Sequence, residues 1–363
     1  MRELNFDGPI NNLSLGNVSF NFLREIRKKD LDLNIFPTNN QANFSAFDKT
    51  PQEFIKWIET ASSNRLKKLN GNIPTLRVWH INGSERALPN QYLYTFYETD
   101  SPTEEEVNIV NLQKHTFFSS SESADLFKEK GCEKVSHVPL GFDEDFFETK
   151  KEYLGKDIVH FGLIGKFERR KNTQSIIQLW ANCYGNNPKY QLSCLVTNPF
   201  FSEDQMKQVL ADTLQGKNIT NINFISHLKT NSEVNDLMNS IDIDLSGISN
   251  GEGWNLPAFN CTALGKWSIV SNCSSHKDWA TKENSILVEP EGKQPCYDNF
   301  FFKEGMPFNQ GSFYRLSANS IQSAFKQAEK KVGQKNAEGA KLRDKFTYSK
   351  TIETILDCIY SDC

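Results

Sequence analysis

The sequence predicts an α/β protein built from two doubly wound domains in tandem. Its 363 residues exceed the length that one hydrophobic core usually supports, so two domains of roughly 150 to 200 residues are expected. Short β-rich segments alternate with helical patterns along nearly the whole chain, which is typical of parallel sheets flanked by helices. A charged segment at residues 147–157 interrupts the alternation. We therefore predict a Rossmann-like domain over residues 1–152, a second over 153–335 and a C-terminal helical segment over 336–363.

The first domain contains the patterns of one α/β unit in order. Amphipathic helices are predicted over residues 18–28 and 51–61, and in the second of these Phe54, Ile55 and Ile58 share one face. Strands are predicted over residues 31–36, 76–79, 92–96, 115–119 and 135–138. A cleft between this domain and the next is the expected ligand site, because ligands commonly bind at domain interfaces.

A second series of strands begins after the charged segment. These strands are predicted over residues 158–164, 190–196, 222–226, 241–245, 267–270 and 286–288. A capping box from Ser202 to Gln205 predicts the start of one helix, and another helix is predicted over residues 232–240. The last helix, over residues 348–360, has one aliphatic stripe, so it packs either on its own domain or back toward the first domain.

The composition argues against several classes of protein. The formal net charge is −4 and residues 1–150 carry about −5, so neither domain has the basic balance of a typical nucleic-acid-binding protein. Eight scattered cysteines form no Cys-x-x-Cys pair and no zinc-ligand spacing, which predicts reduced thiols. No apolar segment matches a signal peptide or a membrane span, so a cytoplasmic protein is expected.

Four cations cluster where the first strand of the second domain ends. The segment Gly165-Lys-Phe-Glu-Arg-Arg-Lys-Asn172 follows that strand directly and precedes an amphipathic helix. Strand ends in α/β folds bind anions, and cations placed there stabilise a departing diphosphate. Lys166, Arg170 and Lys171 are therefore candidate diphosphate ligands, together with Gly165 of the same loop. The alternative is a solvated turn with surface cations.

A glycine-flanked glutamate begins the second informative segment. Residues 249–260 read Ser-Asn-Gly-Glu-Gly-Trp-Asn-Leu-Pro-Ala-Phe-Asn. The glutamate offers a carboxylate to sugar hydroxyls, and the helix that opens at Leu-Pro offers the N–H groups of residues 255–258 to a diphosphate. This combination suits a nucleotide sugar. The candidate donor-binding residues here are Glu252, Gly253, Trp254, Asn255, Leu256 and Asn260.

Together the two segments resemble glycosyltransferase family four and its relatives with the GT-B fold. The family's first loop reads Gly-Arg-x-x-x-x-Lys and holds the donor diphosphate with its two cations, which match Lys166 and Lys171. Its second loop reads Glu-x7-Glu, and the first glutamate, which contacts the donor sugar, matches Glu252. The resemblance is strong over residues 158–280. The sequence there is most similar to glycosyltransferases carried by tailed phages. It implies two Rossmann-like domains that face each other across a cleft.

Asn260 departs from the family pattern. The family places its second glutamate here and uses it to bind the nucleotide ribose. An amide accepts from one ribose hydroxyl but lacks a carboxylate's capacity for two charge-assisted hydrogen bonds. Altered nucleotide recognition is therefore expected at Asn260.

Several positions keep two interpretations open. His80 follows an apolar strand, and the family places a histidine on the first domain facing the donor sugar; a structural loop histidine is the alternative. Trp254 would either pack in the core or stack on a sugar ring. Asp242 and Asp244 form an Asp-x-Asp pair of the kind that metal-dependent GT-A enzymes use. Two complete α/β halves favour a metal-independent enzyme instead.

The resemblance implies a retaining hexosyl- or pentosyltransferase. Its donor would be a nucleoside-diphosphate sugar, expected to be a UDP-sugar, and its catalytic residues would be Glu252, His80 and Lys171, with no metal and no other cofactor. A phage setting, in the host cytoplasm, makes hydroxymethylated DNA with 5-hydroxymethylcytosine one candidate acceptor, and the hydroxyls of surface glycans or of proteins are its competitors. Basic clusters at residues 24–29 and 65–68 would serve DNA. The alternatives are a non-catalytic nucleotide-sugar-binding protein and a sugar-phosphate epimerase or phosphorylase on the same fold.

Overall fold

The chain divides into two compact units. The computed structural model describes residues 2–68, 70–86, 88–150, 154–155 and 157–361. Unit 1 comprises Met1–Asp145, Asn299–Gly311 and Asp344–Cys363, and unit 2 comprises Phe146–Asp298 and Ser312–Arg343. The predicted boundary between residues 152 and 153 lies outside the described residues. Both units alternate strands with helices, which confirms the α/β class.

Unit 1 is built on a parallel sheet flanked by helices. The strands are β1 (Arg2–Ile10), β2 (Leu31–Ala42), β3 (Thr75–Val78), β4 (Gln91–Thr95), β5 (His115–Phe118) and β6 (Val135–His137). The helices in this part of the chain are α1 (Ser14–Arg27), α2 (Gln52–Asn64), α3 (Glu104–Leu112) and α4 (Ser121–Glu129). Within the described residues the sheet has six strands in the order β2-β1-β3-β4-β5-β6.

Polar side chains pair across the middle of this sheet. Asn5 on β1 lies opposite Asn34 on β2 and Thr75 on β3. Asn34 Nδ2 donates to Asn5 Oδ1 over 3.0 Å, and Asn5 Nδ2 donates to Thr75 Oγ1 over 3.3 Å. All three residues are buried, so these bonds offset part of the cost of removing polar groups from water.

Aromatic side chains hold the first two helices on the sheet. Phe20 of α1 stacks on Phe47 with ring centroids 3.6 Å apart and meets Phe54 of α2 edge-on at 5.4 Å. Phe22 of α1 meets Tyr94 of β4 edge-on at 4.9 Å. Such edge-to-face and stacked pairs add to the hydrophobic stabilisation of burying the rings.

Unit 2 repeats the architecture with a second parallel sheet. Its strands are β7 (Val159–Lys166), β8 (Tyr190–Thr197), β9 (Ile222–Phe224), β10 (Ile243–Gly247), β11 (Trp267–Ser271) and β12 (Ser285–Val288). Its helices are α5 (Thr173–Tyr184), α6 (Glu203–Leu214), α7 (Asn231–Ser240), α8 (Leu256–Ala263) and α9 (Ala318–Glu329), with a 3-10 helix over Ser274–Asp278. A two-stranded antiparallel pair, β13 (Gly292–Pro295) and β14 (Ser312–Arg315), follows β12 in the chain.

The order of this second sheet sets the position of the site. In the described residues it has six strands in the order β12-β11-β10-β7-β8-β9, all parallel. β7 is therefore the neighbour of both β10 and β8. Phe161 of β7 packs against Trp180 of α5 and Phe325 of α9, and all three side chains are fully buried. This core leaves the carboxyl ends of the three strands side by side.

One later segment of the chain, residues 299–311, belongs to unit 1 although it lies between β13 and β14 in sequence. Thr103 Oγ1 donates to Pro307 O over 2.6 Å. The N–H of Asn309 donates to Glu106 Oε1 over 2.8 Å. Glu106, at the start of α3, thus accepts a hydrogen bond from this segment.

The end of the chain also belongs to unit 1. After α10 (Ala337–Ala340) and α11 (Leu342–Lys345), α12 (Tyr348–Tyr360) packs against α1. Thr351 Oγ1 donates to Pro139 O over 2.7 Å. Ile352 and Ile355 on its apolar stripe are fully buried. The stripe predicted from the sequence is therefore a packing face.

Each predicted strand corresponds to a strand of the structure, with ends that differ by up to six residues, the largest difference lying at the end of β2. α6 begins after Ser202, whose side chain forms the predicted capping box with Gln205. The sequence does not predict β1, α3, α4, α9, β13 or β14. Within the described residues, no helix combines the length and the apolarity that crossing a membrane requires.

Candidate functional site

The candidate site forms where β7 and β10 end. These strands are hydrogen-bonded neighbours in a parallel sheet, so their carboxyl ends lie side by side. Residues 167–172 follow β7, and residues 248–255 follow β10. Asn250 joins these two segments, because its N–H donates to Arg170 O over 2.8 Å. The fold thereby brings together the two segments that the sequence motifs identify.

Glu252 lies at the centre of an ion-pair network. Its Oε1 accepts from Lys171 Nζ over 2.7 Å, and its Oε2 accepts from Arg170 Nη1 over 2.8 Å. Arg170 Nη2 donates to Glu168 Oε1 over 2.7 Å, and Lys166 Nζ lies 3.2 Å from Glu168 Oε2. Three cations and two carboxylates leave one net positive charge in this network. That excess favours an anionic ligand.

The members of the network differ in their access to solvent. The side chains of Lys166 and Lys171 are 33% and 17% exposed, whereas that of Arg170 is 7% exposed. Arg170 also donates from Nη1 to Gly251 O over 2.7 Å. The two lysines can therefore reach a ligand, while Arg170 holds Glu252 in place from inside. A direct contact between Arg170 and a diphosphate stays a prediction.

The network controls the ionisation of both glutamates. Burial alone would raise the pKa of Glu252, but the charges of Arg170 and Lys171 outweigh it and lower the pKa to about 2. Burial likewise opposes the charges of Arg170 and Lys166 at Glu168, whose pKa is lowered. Both carboxylates are ionised at neutral pH. Each Glu252 oxygen accepts from one cation and keeps a second lone pair for a ligand hydroxyl.

Asn255 begins α8 in the left-handed conformation, with a φ of 70°. Its Oδ1 accepts from the N–H of Ala258 over 3.4 Å, and its Nδ2 lies 2.9 Å from Ser246 O and 3.0 Å from His276 Nε2. Because the Asn255 amide donates, His276 Nε2 accepts, and His276 Nδ1 donates to Ser271 O over 2.9 Å. Burial lowers the pKa of His276 to about 4, in agreement with a neutral ring.

The first turn of α8 has fewer donors for an anion than the sequence predicts. The N–H of Ala258 is bonded to Asn255, and Pro257 has no N–H. Of the predicted donors at residues 255–258, the N–H groups of Asn255 and Leu256 have no hydrogen-bond partner in the described part of the chain, so these two are left for a ligand. The lysines of the network therefore carry most of the attraction for an anion.

The remaining residues of the two segments shape the loops. A Cβ at Gly165 would lie 3.3 Å from Lys171 Cδ, so a side chain there would crowd Lys171. Gly253 is buried beside Glu252. Trp254 is 1% exposed, and its ring centroid lies 5.1 Å from that of Phe259. A fully buried ring offers no face to a sugar, so the structure favours the core-packing interpretation of Trp254.

Asn260 lies on the second turn of α8 and is 3% exposed. Its Oδ1 is buried and has no hydrogen-bond partner among the described residues. A buried acceptor without a donor costs free energy, so a ligand hydroxyl that reached it would gain a hydrogen bond. The expected ribose contact stays a prediction.

His80 belongs to unit 1, whereas the other predicted site residues belong to unit 2. It follows β3, it is exposed, and its ring centroid lies 5.8 Å from that of Trp79. An exposed imidazole after the carboxyl end of a strand is accessible to a ligand. Its predicted role as a catalytic residue rests on the family resemblance.

Asp242 and Asp244 both bind backbone groups of their own unit. Asp242 Oδ2 accepts from the N–H of His160 over 2.8 Å, and Asp244 Oδ1 accepts from the N–H of Ser246 over 3.0 Å. Burial raises the pKa of Asp244 to about 6. Over the residues that the structure describes, no group of three or more His, Cys, Asp or Glu side chains is placed to hold a metal ion.

Two members of the site are missed by reasoning from the sequence. Glu168 lies within the cation segment, and its position two residues from both Lys166 and Arg170 is a signal that could have identified an internal ion pair. His276 lies in the 3-10 helix and has no local motif that connects it to Asn255. Only the fold of unit 2 brings them together.

Solved structures match this chain over nearly its full length. A sucrose-phosphate synthase from Thermosynechococcus elongatus has a TM-score of 0.71 and 10% identity, with 99% of each chain covered. HepE from Anabaena in complex with UDP has a TM-score of 0.66 and 12% identity, with 99% of this chain and 100% of that chain covered. The apo form of WaaB, a lipopolysaccharide outer core galactosyltransferase, has a TM-score of 0.61 and 10% identity, with 100% of each chain covered.

These likenesses show the fold, which is the GT-B fold that the sequence predicts. No protein-family model matches the sequence, and no curated protein matches it either. Membership of glycosyltransferase family four, and of a phage type within it, stays a prediction.

Proposed function

We propose that this chain is a retaining glycosyltransferase that moves a hexosyl or pentosyl group from a nucleoside-diphosphate sugar to an acceptor hydroxyl. One observation carries the proposal. Lys171 Nζ lies 2.7 Å from Glu252 Oε1, in a network with Lys166, at the carboxyl ends of adjacent strands in the second sheet of a GT-B fold. The matched HepE structures contain UDP and UDP-glucose, so a UDP-sugar is the expected donor.

The two lysines would stabilise the leaving group. As the glycosidic bond breaks, negative charge develops on the diphosphate, and cations already in place lower the energy of that state. Lys171 has three N–H donors and uses one of them on Glu252, so two remain for phosphate oxygens. The net positive charge of the network therefore acts where the diphosphate departs. This assignment needs no metal ion.

Glu252 would orient the donor sugar. Its carboxylate has a pKa of about 2, so it is a weak base and accepts hydrogen bonds without taking a proton. A transition state with oxocarbenium character depends more on leaving-group stabilisation than on a strong nucleophile. We therefore assign Glu252 to the sugar hydroxyls. His80 is assigned to the same sugar on the family resemblance alone.

For the acceptor we propose a glycan or other sugar hydroxyl ahead of hydroxymethylated DNA. Most cations of the basic clusters that would serve DNA form ion pairs. Arg24 is 11% exposed and donates to Asp145 over 2.5 Å, and Lys68 pairs with Asp32. Arg24 faces three carboxylates and Lys68 faces one, so neither group has the net positive charge that the network of Lys166 and Lys171 keeps for a phosphate. Modified DNA and the phage setting stay together as the alternative, and a cytoplasmic location stays a prediction for either acceptor.

A donor and acceptor screen tests the proposal. The full chain is incubated with UDP-, GDP- and ADP-sugars, first alone and then with glycans and with DNA that contains 5-hydroxymethylcytosine, and products are identified by mass spectrometry. Slow release of the nucleoside diphosphate, and transfer to one acceptor class, are expected. Binding without release would indicate a non-catalytic nucleotide-sugar-binding protein. Epimerised sugar, or cleavage that requires phosphate, would indicate the epimerase or phosphorylase alternative.

The substitution Lys171→Ala tests the leaving-group assignment. We expect turnover to fall about a hundredfold, because one charged contact to the diphosphate is lost. Lys207→Ala on α6, where the lysine side chain is 74% exposed, is the matched control and should leave turnover unchanged. A Lys171→Ala protein that retained most of its activity would exclude this role for the network.

A further inference from the structure

An exposed phenylalanine lies beside the ion-pair network. Phe200, on the loop between β8 and α6, is 62% exposed, although phenylalanine rings are usually buried. Lys166 Nζ lies 5.9 Å from its ring centroid, a distance at which a cation and an aromatic face attract each other. The ring therefore adjoins the lysine that we assign to the diphosphate.

The loop presents this ring on a fixed backbone. Asn198 is 3% exposed, and its Oδ1 accepts from the N–H of Phe200 over 3.1 Å. Asn198 Nδ2 donates to Phe167 O over 3.1 Å, which ties the loop after β8 to the loop after β7. The N–H of Phe201 donates to Asn198 O over 3.0 Å, and Ser202 then caps α6. A preorganised ring loses little entropy when a ligand stacks on it.

The strand order determines which part of a ligand would meet the ring. β7 lies between β10 and β8, so the lysines at the end of β7 and in the loop after it separate Glu252, after β10, from Phe200, after β8. Neighbouring strands lie about 4.8 Å apart. A donor with its sugar at Glu252 and its diphosphate on the lysines therefore directs its remaining end toward Phe200. In a nucleoside-diphosphate sugar that end is the nucleoside.

We infer that Phe200 is the platform on which the nucleobase of the donor stacks, and that it determines specificity for nucleotide donors. This inference rests on the proposed function. Stacking on an aromatic ring tolerates different bases, since each base has a π face. It contributes no binding free energy for a ligand that lacks a base. Lys166 then contacts the ring with its ammonium group while it binds the diphosphate.

Calorimetric titration with two probes tests this inference. UDP carries the base, whereas inorganic pyrophosphate offers the same charged groups without one. Both are titrated into the full chain and into the Phe200→Leu and Phe200→Trp proteins. Phe147→Leu is the control. Phe147 is another exposed phenylalanine of unit 2, 46% exposed, and it lies near the start of that unit in the chain. Thermal unfolding of each variant checks that the fold is retained.

We expect Phe200→Leu to weaken UDP binding about tenfold and to leave pyrophosphate binding unchanged, because only the stacking contact is removed. Phe200→Trp and Phe147→Leu should bind both probes as the wild type does. Unchanged UDP binding by Phe200→Leu, or an equal loss for both probes, would overturn the inference while leaving the proposed function intact. A wild-type chain that bound neither probe would instead contradict the proposed function.

Discussion

At the scale of single residues, Arg170 links the two carboxylates of the ion-pair network. It is buried between Glu168 and Glu252 and also bonds the carbonyl of Gly251. The planar guanidinium can bridge two carboxylates at once, which a lysine ammonium cannot do with the same geometry. Arg170 therefore positions the sugar-orienting carboxylate of the proposed enzyme.

The substitution Arg170→Lys separates positioning from ligand binding. We expect kcat to fall about tenfold with little change in the Kd of UDP, because Glu252 loses its fixed orientation while Lys166 and Lys171 still bind the diphosphate. The pKa of Glu252 should also rise from about 2, because a lysine keeps the charge of Arg170 but cannot hold it as close to Glu252 Oε2 while it also reaches Glu168. The acid limb of the rate profile then moves to higher pH. Calorimetry and a pH series of donor hydrolysis measure both effects, and a parallel loss of UDP affinity would mean that Arg170 binds the diphosphate itself.

Asn260 permits a second prediction at this scale. In Asn260→Leu the buried Oδ1, which has no partner in the described residues, is replaced by an apolar group of similar size. We expect the free energy of unfolding to stay within about 1 kcal/mol of the wild type. UDP binding should weaken if a ribose hydroxyl uses this oxygen. Urea unfolding and calorimetry together decide, and unchanged UDP affinity would assign Asn260 to the interior alone.

The motif residues of the site could be predicted from the sequence because their spacing is local. Glu252, Lys166 and Lys171 follow strands whose apolar pattern is clear, so the topology brings them together once the strands are placed. The burial of Arg170 and of Trp254 could not be predicted in the same way. Each depends on which side chains from distant segments cover it, and a local pattern carries no such information.

At the scale of elements, the start of α8 depends on one asparagine. Asn255→Ala removes the cap on Ala258 and the bonds to Ser246 O and His276, and it forces alanine into a φ of 70°. We expect a loss of about 3 kcal/mol in the free energy of unfolding. Asn255→Gly should lose about 1 kcal/mol less, because glycine accepts the left-handed conformation. Urea unfolding measures both variants, and equal losses would show that the backbone conformation carries no cost.

The 3-10 helix that follows β11 gives the protein a predictable response to acid. Burial lowers the pKa of His276 to about 4 in the folded state, below the ordinary value of 6.5. Between pH 6.5 and pH 4 the unfolded chain therefore binds a proton that the folded chain does not. The free energy of unfolding falls as the pH falls through this range. Between pH 7 and pH 5, we expect the free energy of unfolding to fall by about 2 kcal/mol less in the His276→Gln protein than in the wild type. Urea unfolding at the two pH values tests the difference, and parallel pH profiles would contradict it.

Strands with apolar runs were predictable, whereas β1 was not. The asparagine, aspartate, glycine and proline of its sequence have low strand propensity. Its partners explain the exception, because Asn5 finds Asn34 and Thr75 on the neighbouring strands. The pair β13 and β14 escapes prediction for a different reason. Both strands are only four residues long and β13 is largely exposed, so neither carries a clear alternation that would identify a strand.

At the scale of the whole molecule, the proposed enzyme holds its diphosphate with side-chain cations. We therefore expect transfer to survive an excess of EDTA with no loss beyond experimental error. Activity assays with and without the chelator test this, with and without added Mn²⁺. If EDTA abolished transfer and Mn²⁺ restored it, the pair Asp242 and Asp244 would again be candidates for a metal site.

The two units are interleaved along the chain, and this determines when each can be completed during synthesis. Unit 1 contains the first 145 residues but also Asn299–Gly311 and Asp344–Cys363, whereas unit 2 ends at Arg343. A ribosome adds about 5 to 20 residues per second, N-terminus first. The unit that is translated first is thus the last to receive all of its parts. Until α12 emerges, the surface of α1 against which it packs stays uncovered, so nascent unit 1 is the part of this protein that a chaperone would need to protect.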